Sequence, residues 1–105
     1  VPYLIRTSCG DVPVDIIIST KKWEHEACEQ AVPISFEDVD IPVAPVEYLI
    51  AMKLRAGGPR DIADVSELLK TSELRPELLN SLAKRLRVDR KLEGMKTAVN
   101  RDREP

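Results

Sequence analysis

Asp15 sits within the apolar run Val12-Pro13-Val14-Asp15-Ile16-Ile17-Ile18. Asp is depleted in strands, and burying its charge unpaired costs several kcal/mol, so the run must offer it a partner, a metal or an open edge. Lys53 is a second irregularity. Val46, Leu49 and Ile50 set up an apolar helical face, and Lys53 stands at the next position of that i, i+3, i+4 series. Either it snorkels and complements the helix C-terminus, or it aims a cation into a cleft, at a phosphate or a buried carboxylate. Arg60-Asp61-Ile62-Ala63-Asp64 then puts two carboxylates three residues apart at a helix start. With Asp61 as N-cap and Asp64 at the third helical position they satisfy free N–H groups, the cap contributing about 1 kcal/mol. As acid-base groups or metal ligands they need a third oxygen-bearing partner.

Other chemistries lack their residues. His25-Glu26 begins an H-E-x-x-H pattern, but position 29 is Glu, so the zinc-protease spacing fails and His25 reads as a surface residue. No P-loop, dinucleotide-binding glycine pattern, nucleophile elbow or Cys/His zinc pattern occurs. Cys9 and Cys28 are too few and too far apart for a disulfide framework or a C-x-x-C motif, and suit reduced thiols in a cytoplasmic protein.

The elements that must position these groups can be read along the chain. Tyr3 to Thr7 and Val12 to Ser19 flank Ser8-Cys9-Gly10-Asp11 and predict a β-hairpin. On its second strand Val12, Val14, Ile16 and Ile18 share one face, expected to be core, while Pro13, Asp15 and Ile17 share the other. Lys22 to Ala31 predicts a short helix with Trp23, Ala27 and Ala31 on one side, Trp23 anchoring it to the sheet. Ile34 to Phe36 and Val39 to Val43 read as an edge strand or extended connector, since Pro42 and Pro45 argue against a central strand. A helix from Pro45 to Ala56 is strongly signalled, with proline at its first position and Gly57-Gly58-Pro59 ending it. Further helices are predicted from Asp61 to Lys70, Pro76 to Val88 and Asp89 to Asn100, with a frayed tail beyond.

At 105 residues the chain suits one domain, sheet-rich over 1–44 and helical over 45–100, of α/β (α+β) class with a small mixed or antiparallel sheet. Four aromatic residues argue against a base-stacking nucleic-acid surface. Residues 1–50 carry three Lys/Arg against nine Asp/Glu, and residues 51–105 carry thirteen against nine. The basic half is interspersed with acids and reads as solvated helix. No apolar run of about 18 residues is present, so no membrane partner is expected, and the protein is expected in the cytoplasm. The chain opens on Val1 with strand signals by Tyr3-Leu4-Ile5, and reads as a piece of something longer.

Taken in order, Gly10-Asp11-Val12-Pro13-Val14-Asp15-Ile16-Ile17-Ile18, then Trp23, then Ile41-Pro42-Val43-Ala44-Pro45-Val46-Glu47-Tyr48-Leu49-Ile50-Ala51-Met52-Lys53-Leu54, then Arg60-Asp61-Ile62-Ala63-Asp64-Val65, resemble nucleotidyltransferase-fold proteins of the polymerase-β-like superfamily. The small bacterial and archaeal members, including those of toxin-antitoxin and abortive-infection systems, are the most similar in pattern, over roughly residues 3–70. The resemblance implies Mg²⁺-dependent transfer of a nucleoside monophosphate from a nucleoside triphosphate to a hydroxyl. It maps Asp15 onto the family's third acidic residue, a metal ligand or base. Lys53 and Arg60 map onto contacts to nucleotide phosphate, with Asp61 and Asp64 supporting the cleft.

The family's first motif, a Gly-Ser turn followed by D-x-D, has no counterpart in this sequence. Mg²⁺ is expected only together with such a motif, because a lone Asp15 cannot organise two metals. The chain is therefore expected to be the C-terminal part of a longer nucleotidyltransferase fold. The alternative is a catalytically inactive remnant that binds a partner protein, or a second copy of itself, through its helical half.

Overall fold

The computed structural model describes residues 4–103, so the strand position expected at Tyr3 lies outside the described residues. Strands β1 (Leu4–Cys9) and β2 (Val12–Ile17) form an antiparallel hairpin, followed by helix α1 (Lys22–Glu29). A second hairpin, β3 (Val32–Phe36) and β4 (Val39–Val43), leads into four helices. These are α2 (Val46–Ala56), α3 (Pro59–Thr71), α4 (Pro76–Arg85) and α5 (Asp89–Arg103). The architecture is α+β, but the strands make two separate two-stranded sheets instead of one.

Both hairpins turn on two residues. Gly10 takes the left-handed φ of 62° that the first turn requires. In the second, Glu37 and Asp38 both have positive φ, 49° and 65°, the backbone twist that a two-residue hairpin loop favours. The prolines of 33 and 42 face each other across the ladder. Counting outward from the closing pair Phe36 and Val39, this pair falls where neither residue bonds its partner strand, so the missing N–H groups cost no ladder bond. An edge strand or an extended connector was expected here; both segments are strands of a two-stranded hairpin, and its prolines are accommodated by register.

The core is built from the helices and the turn that joins α4 to α5. Tyr48, Ile50 and Leu54 of α2 pack with Val65 of α3, Leu79, Leu82 and Ala83 of α4 and Leu92 of α5, all at most 1% exposed. No described strand residue is buried. The expectation that Val12, Val14, Ile16 and Ile18 form a core face is therefore wrong: Val12 is 62% exposed and Ile16 46%. The stripe that periodicity suggested on α2 is split: Ile50 is buried and Val46 packs against the core, whereas Leu49 and Lys53 lie outside it. Trp23 likewise packs against the helical cluster.

Helix boundaries differ at their ends. Pro45 is the N-cap of α2 and not its first residue. Helix α3 starts at Pro59, so Asp61 is its third residue rather than its N-cap, and its carboxylate accepts the Gly58 N–H at 3.2 Å. Helix α4 stops at Arg85, short of the expected Val88, and Arg87 takes a φ of 60° to re-aim the chain into α5. Helix α5 runs to Arg103, past the expected frayed end at Asn100. The Arg103 guanidinium donates to the Lys70 carbonyl at 2.9 Å, and Lys70 and Asp102 approach to 3.6 Å.

Two polar ties brace the bundle. Arg85 clasps Glu26 through two hydrogen bonds, 2.7 and 3.2 Å, joining α4 to α1. Glu47, 3% exposed, accepts the Arg75 backbone N–H at 2.8 Å and the Arg75 guanidinium at 3.5 Å, joining α2 to the start of α4. Burial pushes the Glu47 carboxyl up, but the hydrogen bonds from the Arg75 and Glu47 backbones and from the Arg75 side chain, with its charge, outweigh it and lower the pKa below 4.5. A carboxyl with a depressed folded pKa stabilises the fold at pH above its unfolded value and loses that contribution as pH falls through the folded value. Glu47→Ala, which leaves the Arg75 N–H unpaired, is expected to cost about 1–3 kcal/mol at neutral pH in urea unfolding. The deficit relative to the wild type should shrink below pH 4.5.

Candidate functional site

One face of the first hairpin and the outer face of α2 enclose a cleft of about 620 Å³. The hairpin register sets what its strands contribute: Leu4 pairs with Ile17 and Arg6 with Asp15, so all four share the face that lines the cleft. Helix α2 contributes Leu49, Met52, Lys53, Arg55 and Ala56, one side of the helix whose other side is core. Lys21 and Trp23 enter from the start of α1, and Asp61 from the first turn of α3.

The structure thus brings Asp15, Lys53 and Asp61 to one cleft, although 38 positions separate Asp15 from Lys53 in sequence. Asp15 is exposed and, among the described residues, has no side-chain hydrogen bond or ion pair. The desolvation problem posed by its apolar run is solved by an open face. Arg60 is exposed on α3 and does not line the cleft. Asp64 does not line it either, but accepts a hydrogen bond from Lys53 Nζ at 2.7 Å, while Asp61 lies 3.9 Å from the same ammonium. Both acids of the R-D-x-x-D segment therefore act on Lys53, fixing where its charge sits between α2 and α3. Asp61 does so while its other oxygen holds Gly58.

Arg6, Lys21, Trp23 and Arg55 were not anticipated as site residues. Arg6 was within reach of sequence reasoning: a two-residue turn at Gly10-Asp11 makes it the partner of Asp15. Arg55 was not, because its position over the Trp23 ring, 5.8 Å from guanidinium carbon to centroid, depends on how α1 packs beside α2.

Electrostatically the cleft suits an anion. Four cations, Arg6, Lys21, Lys53 and Arg55, face two carboxylates, and of the four only Lys53 is ion-paired among the described residues. The donor set does not by itself fit Mg²⁺. One of its two carboxylates is already engaged by Lys53 and Gly58, and no group of three or more His, Cys, Asp or Glu side chains that could hold a metal occurs among the described residues. His25 is exposed, with Nδ1 3.0 Å from Ser19 Oγ, and both cysteines are free and exposed. No described helix is long and apolar enough to cross a membrane. No protein-family profile matches the chain, and no curated protein matches it.

Lys53 is 24% exposed and Asp64 45%, so their attraction is screened by solvent. Lys53→Met is expected to cost less than about 1 kcal/mol in thermal melting, neither stabilising the fold nor collapsing it. A loss of several kcal/mol would mean that the ion pair is desolvated in solution.

Proposed function

We propose that this chain carries the triphosphate-holding part of a nucleotidyltransferase fold. In the complete reaction an acceptor hydroxyl oxygen bonds to the α-phosphorus of a nucleoside triphosphate. The bond to the β-phosphate oxygen breaks, pyrophosphate leaves, and the hydroxyl proton passes to a base. Asp15 is suited to that base role, being an exposed carboxylate on the cleft without a competing partner among the described residues. Lys53, held by Asp64 and Asp61, supplies a positioned cation for phosphate oxygens. The observation that carries the reading is the convergence of Asp15, Lys53 and Asp61, three widely spaced residues of the nucleotidyltransferase-like pattern, on one cationic cleft of ligand size. Arg60 has no part in it as the cleft stands.

A second reading draws support from the hairpins. Val32, Ile34, Phe36, Val39, Ile41 and Val43 are each at least 41% exposed, and the register places all six on one face of the β3–β4 hairpin. Isolated two-stranded hairpins are marginal in water and are normally completed by further strands or by packing. A non-catalytic, protein-binding role would use this surface, and not the helical half, whose apolar side chains are largely consumed by the core.

Calorimetric titration with ATP discriminates the readings. On the first, the chain binds ATP without metal, and Lys53→Gln weakens binding roughly ten- to hundredfold, the value of one charge-assisted hydrogen bond. Asp15→Asn, which removes negative charge from the cleft, should not weaken that metal-free binding. Absence of ATP binding, together with a stable complex with a partner protein, would transfer support to the second reading.

A further inference from the structure

The cleft holds more than a phosphate needs. Its cations answer an anion, but Trp23, Leu49 and Met52 line the same space, and Ile17 adds an apolar side chain from the hairpin. Inorganic phosphate or a sugar phosphate would leave this part of the lining facing water. The Trp23 indole is only partly buried and carries the Arg55 guanidinium over its ring. An indole with a planar cation above it is a two-layer platform of the kind that accepts a third flat group by stacking, with cation–π attraction adding to dispersion. Arg55 is exposed and, apart from this ring contact, has no ion pair among the described residues, so it can slide along the ring to admit one.

We infer that Trp23 and Arg55 form a nucleobase platform, so that the cleft takes a whole nucleoside triphosphate, its base stacked at Trp23 and its phosphates toward Lys53 and Arg6. This rests on the triphosphate-holding role and extends it from the phosphates to the base. Stacking reads the flat face of a base and not its edge, so the platform distinguishes nucleotides from other polyphosphates while tolerating every base, with purines favoured by their larger rings.

Trp23 is the only tryptophan in the chain, which makes its fluorescence a direct report on the platform. The test compares ATP with inorganic tripolyphosphate, titrated into the 105-residue chain and followed both by tryptophan fluorescence and by calorimetry. Tripolyphosphate carries at least as much negative charge as ATP, so electrostatics alone would favour it. The platform predicts the reverse: ATP binds about ten- to hundredfold tighter and quenches Trp23, whereas tripolyphosphate binds without quenching. Trp23→Phe should retain most of the ATP preference and Trp23→Leu should abolish it, while the two retain equal affinity for tripolyphosphate. Equal binding of both ligands with no quenching would overturn the platform and leave the phosphate role intact. Failure of both ligands to bind the wild-type chain would overturn the phosphate role and the platform with it.

Discussion

Helix α2 must serve the core and the cleft at once, and the rest of the structure is arranged around that constraint. Its 11 residues divide cleanly. Tyr48, Ile50, Ala51 and Leu54 are buried among the other helices, and Leu49, Met52, Lys53 and Arg55 line the cleft. A residue can be shifted to neither side without loss: a smaller side chain at Ile50 or Leu54 opens a cavity in the core, and a rotation of α2 that compensated would carry Lys53 away from Asp64. The core therefore acts as the ruler that sets where the cleft's cation stands. Glu47 reinforces it from the first turn of α2 by holding the start of α4, and the left-handed Gly57 lets α3 double back so that Asp61 and Asp64 meet Lys53.

Rigidity and openness are separated along the chain. The helical half satisfies its apolar residues internally, and the hairpins contribute nothing to the core. What the first hairpin contributes is chemistry: its register sets Arg6 opposite Asp15 and turns both toward α2. A carboxylate in that position is tolerated because the face is wet, and the same wetness leaves it available to a ligand. The prolines at positions 13, 33 and 42 interrupt the donor row at hairpin edges, which lowers the tendency of these apolar strands to pair indiscriminately.

Much of this was legible in the residues, and the misreadings have physical causes. Helix α2 and the first hairpin follow from proline and glycine placement, which acts locally. The second hairpin was left open between an edge strand and a connector, because Pro42 and Pro45 were weighed against a central strand without the register that makes Pro33 and Pro42 harmless. The choice of core face failed on β2, and for Leu49 on α2, for one reason. Periodicity reports which residues share a face, whereas which face is buried depends on what packs against it. Lys53 stood out as a cation in an apolar series, and that series proved to straddle the boundary: Ile50 is core and Val46 packs against it, whereas Leu49 and Lys53 line the cleft. Asp61 and Asp64 were read as caps or as a cleft support; Asp61 caps Gly58 and both also hold Lys53, because the turn at Gly57-Gly58 brings α3 back against α2.

The space between the first hairpin and α2 is proposed as the binding site for the triphosphate of a nucleotide. Backbone amide NMR of the ¹⁵N-labelled chain, titrated with ATP, tests it most directly because every element reports separately. Binding there should concentrate shifts at Arg6, Asp15, Lys53 and Asp61, with the helical surface around Asn80 and Arg90 unmoved. Shifts that are absent, or that gather on that helical surface and spare the cleft, would contradict it.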